Sequence, residues 1–197
     1  MLDILYKEGH IPVNGITYSA DLVDYLLDKS NYSVVTQVMG RTSQVFKHLG
    51  ISRVPQDWIK KIVEGYPDEL REEFSKYRLG AHANYCEKGF SMLPHRDFFA
   101  NNHYGYSEVG IGSLLSYVAP SGEPIGREFV YGKVRSPITL QENPIDWDDP
   151  RLEKLGEITP KTGRGVLVDA LCGKWWHGVT PLLSEGPVIS ISMTAFQ

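Results

Sequence analysis

Over the first eighty residues, apolar positions recur at helical spacing. In ADLVDYLLDKS, Leu22, Tyr25 and Leu26 fall at i, i+3 and i+4, and the preceding Ser19 is a good N-cap. Trp58, Ile59 and Ile62 share one stripe of WIKKIVEG, which predicts a second helix from about Gln56 to Gly65. Pro67 opens a third, PDELREEFSKY, whose acidic start and basic end suit the helix dipole. After residue 80, Gly and Pro punctuate short β-branched and aromatic runs. Strands are expected near Ala81–Tyr85, Ser91–His95, Gly110–Val118, Glu128–Val134, Gly165–Asp169, His177–Val179 and Val188–Ala195. Such strands after a helical layer predict a mainly β fold, a sandwich or jelly roll with N-terminal helices packed on one sheet. The Pro- and Asp-rich stretch 136–161 reads as a surface excursion, a lid or a solvated loop. The expected organisation is one domain over 1–197, with 1–79 mainly helical support and 80–197 the β core.

Composition narrows the classes. The 197 residues are 42% hydrophobic, enough for a core without disulfide staples. A net charge of -4 weighs against a role in wrapping nucleic acid, which calls for a basic excess. The two cysteines, Cys86 and Cys172, lie far apart, so neither a disulfide framework nor a zinc ribbon is supported. The opening MLDILYKEGH has no apolar core of a signal peptide, and no apolar run approaches the ~18 residues of a membrane span. The expectation is a soluble cytoplasmic protein with no membrane or nucleic-acid partner. P-loop, dinucleotide, zincin and hydrolase motifs are all missing.

Among six histidines, His95 stands out because Asp97 follows in MLPHRDFF at the end of an expected strand. The period of two puts both side chains on one face, so imidazole and carboxylate converge. A further imidazole, His177 in WWHGVTPL, opens another short strand. Two histidines and a carboxylate are the facial ligand set of non-haem Fe(II), which leaves coordination positions open for what reacts. Taken alone, the HxD pair reads rather as an Asp that orients a partly buried histidine.

The surroundings favour iron. Helices, HxD, Gly-rich strands, the segment Pro160 to Val166 (P-K-T-G-R-G-V) and His177-Gly178-Val179-Thr180-Pro181 occur in an order that resembles the Fe(II)/2-oxoglutarate-dependent dioxygenases. It looks most like their prolyl-hydroxylase-like branch, over roughly residues 78 to 197. The resemblance implies a double-stranded β-helix, with His95, Asp97 and His177 as both the iron ligands and the catalytic centre, and 2-oxoglutarate and O2 as cosubstrates. In related halogenases a Gly or Ala replaces the carboxylate. Asp97 therefore implies hydroxylation, or a variant such as desaturation or ring formation.

One element of the pattern is missing. The resembled enzymes carry an Arg or Lys about ten residues after the distal histidine, to bind the far carboxylate of 2-oxoglutarate. Here SEGPVISISMTAFQ has neither, and nothing cationic follows Lys174. A dicarboxylate buried in an apolar barrel needs a cation. A branch of the superfamily takes it from the fourth core strand, here GREFVYGKV, whose cations are Arg127 and Lys133. Arg127 is the choice, because it stands where the family usually has glycine. The alternative is an outward, solvated Arg. Tyr85 is a candidate for a hydroxyl on the same carboxylate, or else a core aromatic. Ser190 and Ser192 share a face and are candidates for cosubstrate contact if that face points inward.

Three functional classes remain open: a 2-oxoglutarate-dependent oxygenase, an Fe(II) oxygenase that uses O2 alone, and a non-catalytic cupin-like binding module. Little chain lies beyond the barrel and its support, which favours a small-molecule or amino-acid-like substrate. Oligomeric state is not legible. His103 in FFANNHYGY is a weaker candidate for substrate contact. One of Trp175 and Trp176 is expected in the core, with the other free to line a pocket.

Overall fold

In the computed structural model, the described residues are 5, 7–39, 42–49, 55–95, 110–136, 138–139, 142, 145–169 and 174–196. Along the chain they form β1 (His10–Asn14), α1 (Ala20–Leu27), β2 (Ser33–Met39), β3 (Thr42–Leu49), α2 (Gln56–Glu64), α3 (Asp68–Phe74), β4 (Arg78–Cys86), β5 (Met92–His95), β6 (Gly110–Val118), β7 (Phe129–Val134), β8 (Leu152–Ile158), β9 (Arg164–Asp169), β10 (Trp175–Val179) and β11 (Val188–Phe196). The strands pair antiparallel in a seven-stranded sheet, β1-β9-β6-β11-β4-β3-β2, and a four-stranded sheet, β5-β10-β7-β8. This is a double-stranded β-helix with helices on the outer face of the larger sheet, as the sequence leads one to expect.

The alternation of β11 explains the layering. Ile189, Ile191, Met193 and Ala195 face the helices and join Leu22, Leu26, Ile59, Ile62, Leu70 and Phe74 in one core. The alternate residues face the smaller sheet, and Val188 joins Phe129, Tyr117, Val166, Val168 and Val179 in a second core. Ala81 and Ala83 on β4 are small, which lets the helices sit close. Ser19 does precede α1, but its side chain makes no cap hydrogen bond.

The first eighty residues are less helical than their pattern predicts. They also supply β1 and the β2–β3 hairpin, which extend the larger sheet at both edges. The stretch 136–161 is not wholly a loop either, because it contains β8. That strand forms an edge of the smaller sheet and exposes Lys154 and Leu155. Its charges spoil helical and strand-like patterning alike, and they are typical of an edge that must avoid pairing with other chains.

Candidate active site

His95 and His177 come together across a strand pair. β10 runs antiparallel between β5 and β7, with His177 opposite both His95 and Tyr131. The two imidazoles lie edge to face with centroids 4.4 Å apart. Close approach of β5 and β10 depends on Gly178, where a Cβ would stand 3.0 Å from Pro94 N and 2.8 Å from the Trp147 ring. His95 is 5% exposed, and its Nδ1 lies 2.8 Å from the Leu93 carbonyl. That oxygen accepts only from a protonated Nδ1, which leaves the Nε2 lone pair for a metal. Phe129 stacks on the His177 ring at 5.1 Å. Asp97, the third ligand expected from the sequence, lies outside the described residues, as does His103. Among the described residues no group of three His, Cys, Asp or Glu gathers around one point.

Arg127 turns inward. It is 2% exposed and sits at the end of the barrel nearest Val179 and Phe129. Its Nη2 donates to Ser190 Oγ at 3.0 Å and points at Cys86 Sγ at 2.9 Å, while the guanidinium lies 4.9 Å from the Phe90 ring centre. Nε and Nη1 have no hydrogen-bond partner among the described residues. None of the ion pairs among the described residues involves it. The backbone accounts for the inward turn. Gly126 and Arg127 both have positive φ, at 80° and 62°, and Arg127 N donates to the Pro181 carbonyl at 3.1 Å. Among the described residues Arg127 is the only non-glycine in this region of φ, a conformation that costs about 1–3 kcal/mol. Nearby, burial pushes the Tyr117 phenol well above its usual pKa, against the opposing pull of Arg127.

The two other candidates for the cosubstrate anchor lie away from Arg127. Lys133 is exposed and rests 5.1 Å from the Trp175 ring centre, near the far end of β7 from the segment that carries Arg127. Tyr85 shares the parity of Ala81 and Ala83, so it packs toward the helices, against Tyr32 at 5.2 Å. It therefore lies on the opposite face of β4 from Cys86. The same alternation turns Ser190 and Ser192 into the barrel, both buried.

Sequence reasoning left His10 without a role. The residue is 4% exposed, on β1, and its ring stacks on Tyr131 at 4.7 Å and meets His177 at 6.2 Å. Burial first, and His177 second, push its pKa down to about 3, so the ring is neutral at physiological pH. The alternation of HIPVN was the available signal. Pro12 weakened it, yet a proline is tolerated on an edge strand. Both tryptophans are buried. Trp175 shares the face of His177, whereas Trp176 faces away and donates through Nε1 to the Lys133 carbonyl at 3.0 Å.

No protein-family profile and no curated protein matches the chain. Solved structures do. A Pseudomonas putida prolyl-4-hydroxylase superposes with a TM-score of 0.62 at 14% identity, covering 100% of this chain and 96% of that one. SnoN, a non-haem α-ketoglutarate-dependent epimerase from nogalamycin biosynthesis, gives 0.66 at 14%, covering 100% and 81%. HygX from Streptomyces hygroscopicus, with nickel, 2-oxoglutarate and hygromycin B bound, gives 0.61 at 12%, covering 98% and 86%. At these identities the likeness is one of fold: the chain has the double-stranded β-helix of iron- and 2-oxoglutarate-dependent oxygenases. Among its described residues no helix is long and apolar enough to cross a membrane.

Proposed function

We propose that the protein is a non-haem Fe(II) oxygenase that uses 2-oxoglutarate and O2 to oxidise a small-molecule or amino-acid-like substrate. The observation that carries this reading is Arg127, a buried cation inside the barrel with two nitrogens unpartnered and no counter-ion among the described residues. Such a charge is costly when left alone, and a carboxylate from a bound dicarboxylate would satisfy it. The missing C-terminal anchor is thereby replaced from the segment that leads into β7. Ser190, on the strand where the anchor usually sits, holds the guanidinium instead.

His95 and His177 fit iron as neutral imidazoles, and the Leu93 carbonyl fixes the tautomer of the first. Asp97 is the proposed third ligand. Bound there, ferrous iron and 2-oxoglutarate supply the O2 activation that oxidises a substrate C–H bond. The chain's own part is to grip and exclude. Arg127 and Ser190 orient the far carboxylate, while Phe129, Val179 and Val168 keep water from the space between the sheets. The hygromycin B bound in HygX supports a substrate of metabolite size, and the reading takes hydroxylation, desaturation or ring formation as the outcome. A reducing cytoplasm, where iron stays ferrous and Cys86 stays a thiol, is the compartment this chemistry calls for.

The test is an anaerobic titration of metal-free protein with Fe(II) and then 2-oxoglutarate, read in the visible spectrum. A weak charge-transfer band that needs both additions, and that Arg127→Ala shifts to much higher keto-acid concentration, is the expected result. Iron binding without the band removes 2-oxoglutarate from the reading. Absence of iron binding removes the oxygenase.

A further inference from the structure

We propose that Trp147 is a positioning residue for the metal site: the turn 145–151 straps β5 to β10 from outside the barrel and so fixes His95 relative to His177. The proposal rests on the oxygenase reading for the metal alone; the strap itself stands on the geometry below.

The strand that carries His95 needs support from outside its own ladder. β5 is four residues long, stands at the edge of the smaller sheet, and shifts register against β10 between His177 and Val179. Pro94, the residue before His95, has no N–H, so its carbonyl is the one main-chain group through which it can be held. Ile145 N–H donates to that carbonyl at 2.9 Å, and the Ile145 side chain is buried. Two residues further on, the Trp147 ring lies against Gly178. A Cβ on Gly178 would stand 2.8 Å from Trp147 Cη2, 3.0 Å from Pro94 N and 3.1 Å from Met92 O. One indole thus covers the junction where the His177 strand meets the His95 strand. Trp147 also meets Trp176 edge to face, with centroids 6.3 Å apart. Alternation along β10 turns Trp176 and Gly178 out of the barrel and His177 into it.

The turn is built to hold this indole still. Asp149 N–H donates to the Asp146 carbonyl at 3.2 Å, and Leu152 N–H donates to the Asp149 carbonyl at 3.0 Å. The Asp149 carboxylate accepts from Arg151 N–H at 2.9 Å and pairs with its guanidinium at 2.8 Å. Arg135 N–H donates to the Arg151 carbonyl at 2.8 Å, which roots the turn beside the end of β7. Trp147 is 40% exposed, so so much fixing around it exceeds what its own burial calls for. The metal supplies the reason. Ligand atoms must keep their places to about 0.5 Å, and the two imidazoles ride on different strands, one of them an edge strand.

The test uses the full chain and two readouts. In metal-free protein labelled with 15N-histidine, nuclear magnetic resonance follows the His95 Nδ1–H that donates to the Leu93 carbonyl, assigned by its loss in His95→Gln. In parallel, Fe(II) affinity is measured anaerobically by competition with a chelator of known strength. Trp147→Ala is expected to unfold cooperatively, to lose or broaden the His95 Nδ1–H signal, and to bind Fe(II) about tenfold more weakly. Trp147→Phe, a milder truncation, falls between the two and keeps the measurement decisive if the alanine variant does not fold. A Trp147 that only packs would lower Tm and leave both the resonance and the affinity of the folded protein unchanged. That result overturns the proposal, as does absence of the Nδ1–H signal from the parent, whose ring is then not held. If the parent shows the signal and binds no Fe(II), the oxygenase reading fails, and the response of the signal to Trp147→Ala alone judges the strap.

Discussion

The two faces of the larger sheet share the same strands and have opposite chemistry. Toward the helices, β11 shows Ile189, Ile191, Met193 and Ala195, in an apolar core into which Ser116, Tyr18 and Tyr66 bring buried hydroxyls. Toward the smaller sheet it shows Val188, Ser190, Ser192 and Thr194, all buried. The helical side gains stability from simple burial. The inner side holds a guanidinium on a strained backbone, with two nitrogens that have no hydrogen-bond partner among the described residues. Stability is spent there, and such conflicts with ordinary packing rules collect at functional sites.

That contrast can be broken from either side. The largest effect is expected for His177→Ala, which should abolish stoichiometric Fe(II) binding in a titration while thermal unfolding stays cooperative. On the helical face the effect is on stability instead. Ile191→Ala should cost about 2–5 kcal/mol in denaturant unfolding, with iron stoichiometry unchanged.

Arg127→Gly sharpens the comparison, because it removes both the buried charge and the positive-φ strain. Stability is expected to rise by about 1–3 kcal/mol, while 2-oxoglutarate no longer produces its spectral band. A loss of stability would mean that Arg127 is a packing element and not an anchor. Ser190→Ala removes one acceptor from the guanidinium, and the keto-acid affinity should fall severalfold, in line with about 0.5–1.5 kcal/mol for one hydrogen bond.

The smallest effect belongs to neither face. The Thr139 backbone N–H first, then Arg151 and the Thr139 hydroxyl, hold the Glu142 carboxyl at a pKa of about 2, below its ordinary 4.5. Because the folded pKa is lowered, the stabilisation is complete above pH 4.5 and disappears as pH falls toward 2. Glu142→Gln should flatten the stability profile slightly in that window alone, as an exposed carboxylate allows.

The sequence made the layering legible because alternation was strong where burial differed between faces, as in β4, β6 and β11. It also made the inward Arg127 legible, through a missing cation and a residue placed where glycine is usual. The β2 and β3 strands were missed, although SVVTQVM is rich in β-branched residues, because the helices around them dominated the pattern. Which face Tyr85 occupies depends on register with β11, where it lies opposite Ile189, and no local spacing encodes that. His10 escaped notice because its partners Tyr131, Trp175 and His177 are more than a hundred residues away.

An uncompensated guanidinium also makes the protein's lifetime depend on metabolism. On the proposed reading, a ligand that binds only the folded chain stabilises it by about 2.7 kcal/mol at a hundred times its Kd. Proteases act on the small unfolded fraction, so the copy number of this protein would follow the supply of its keto acid. Nutrient state would then set abundance as well as rate, with no dedicated regulator.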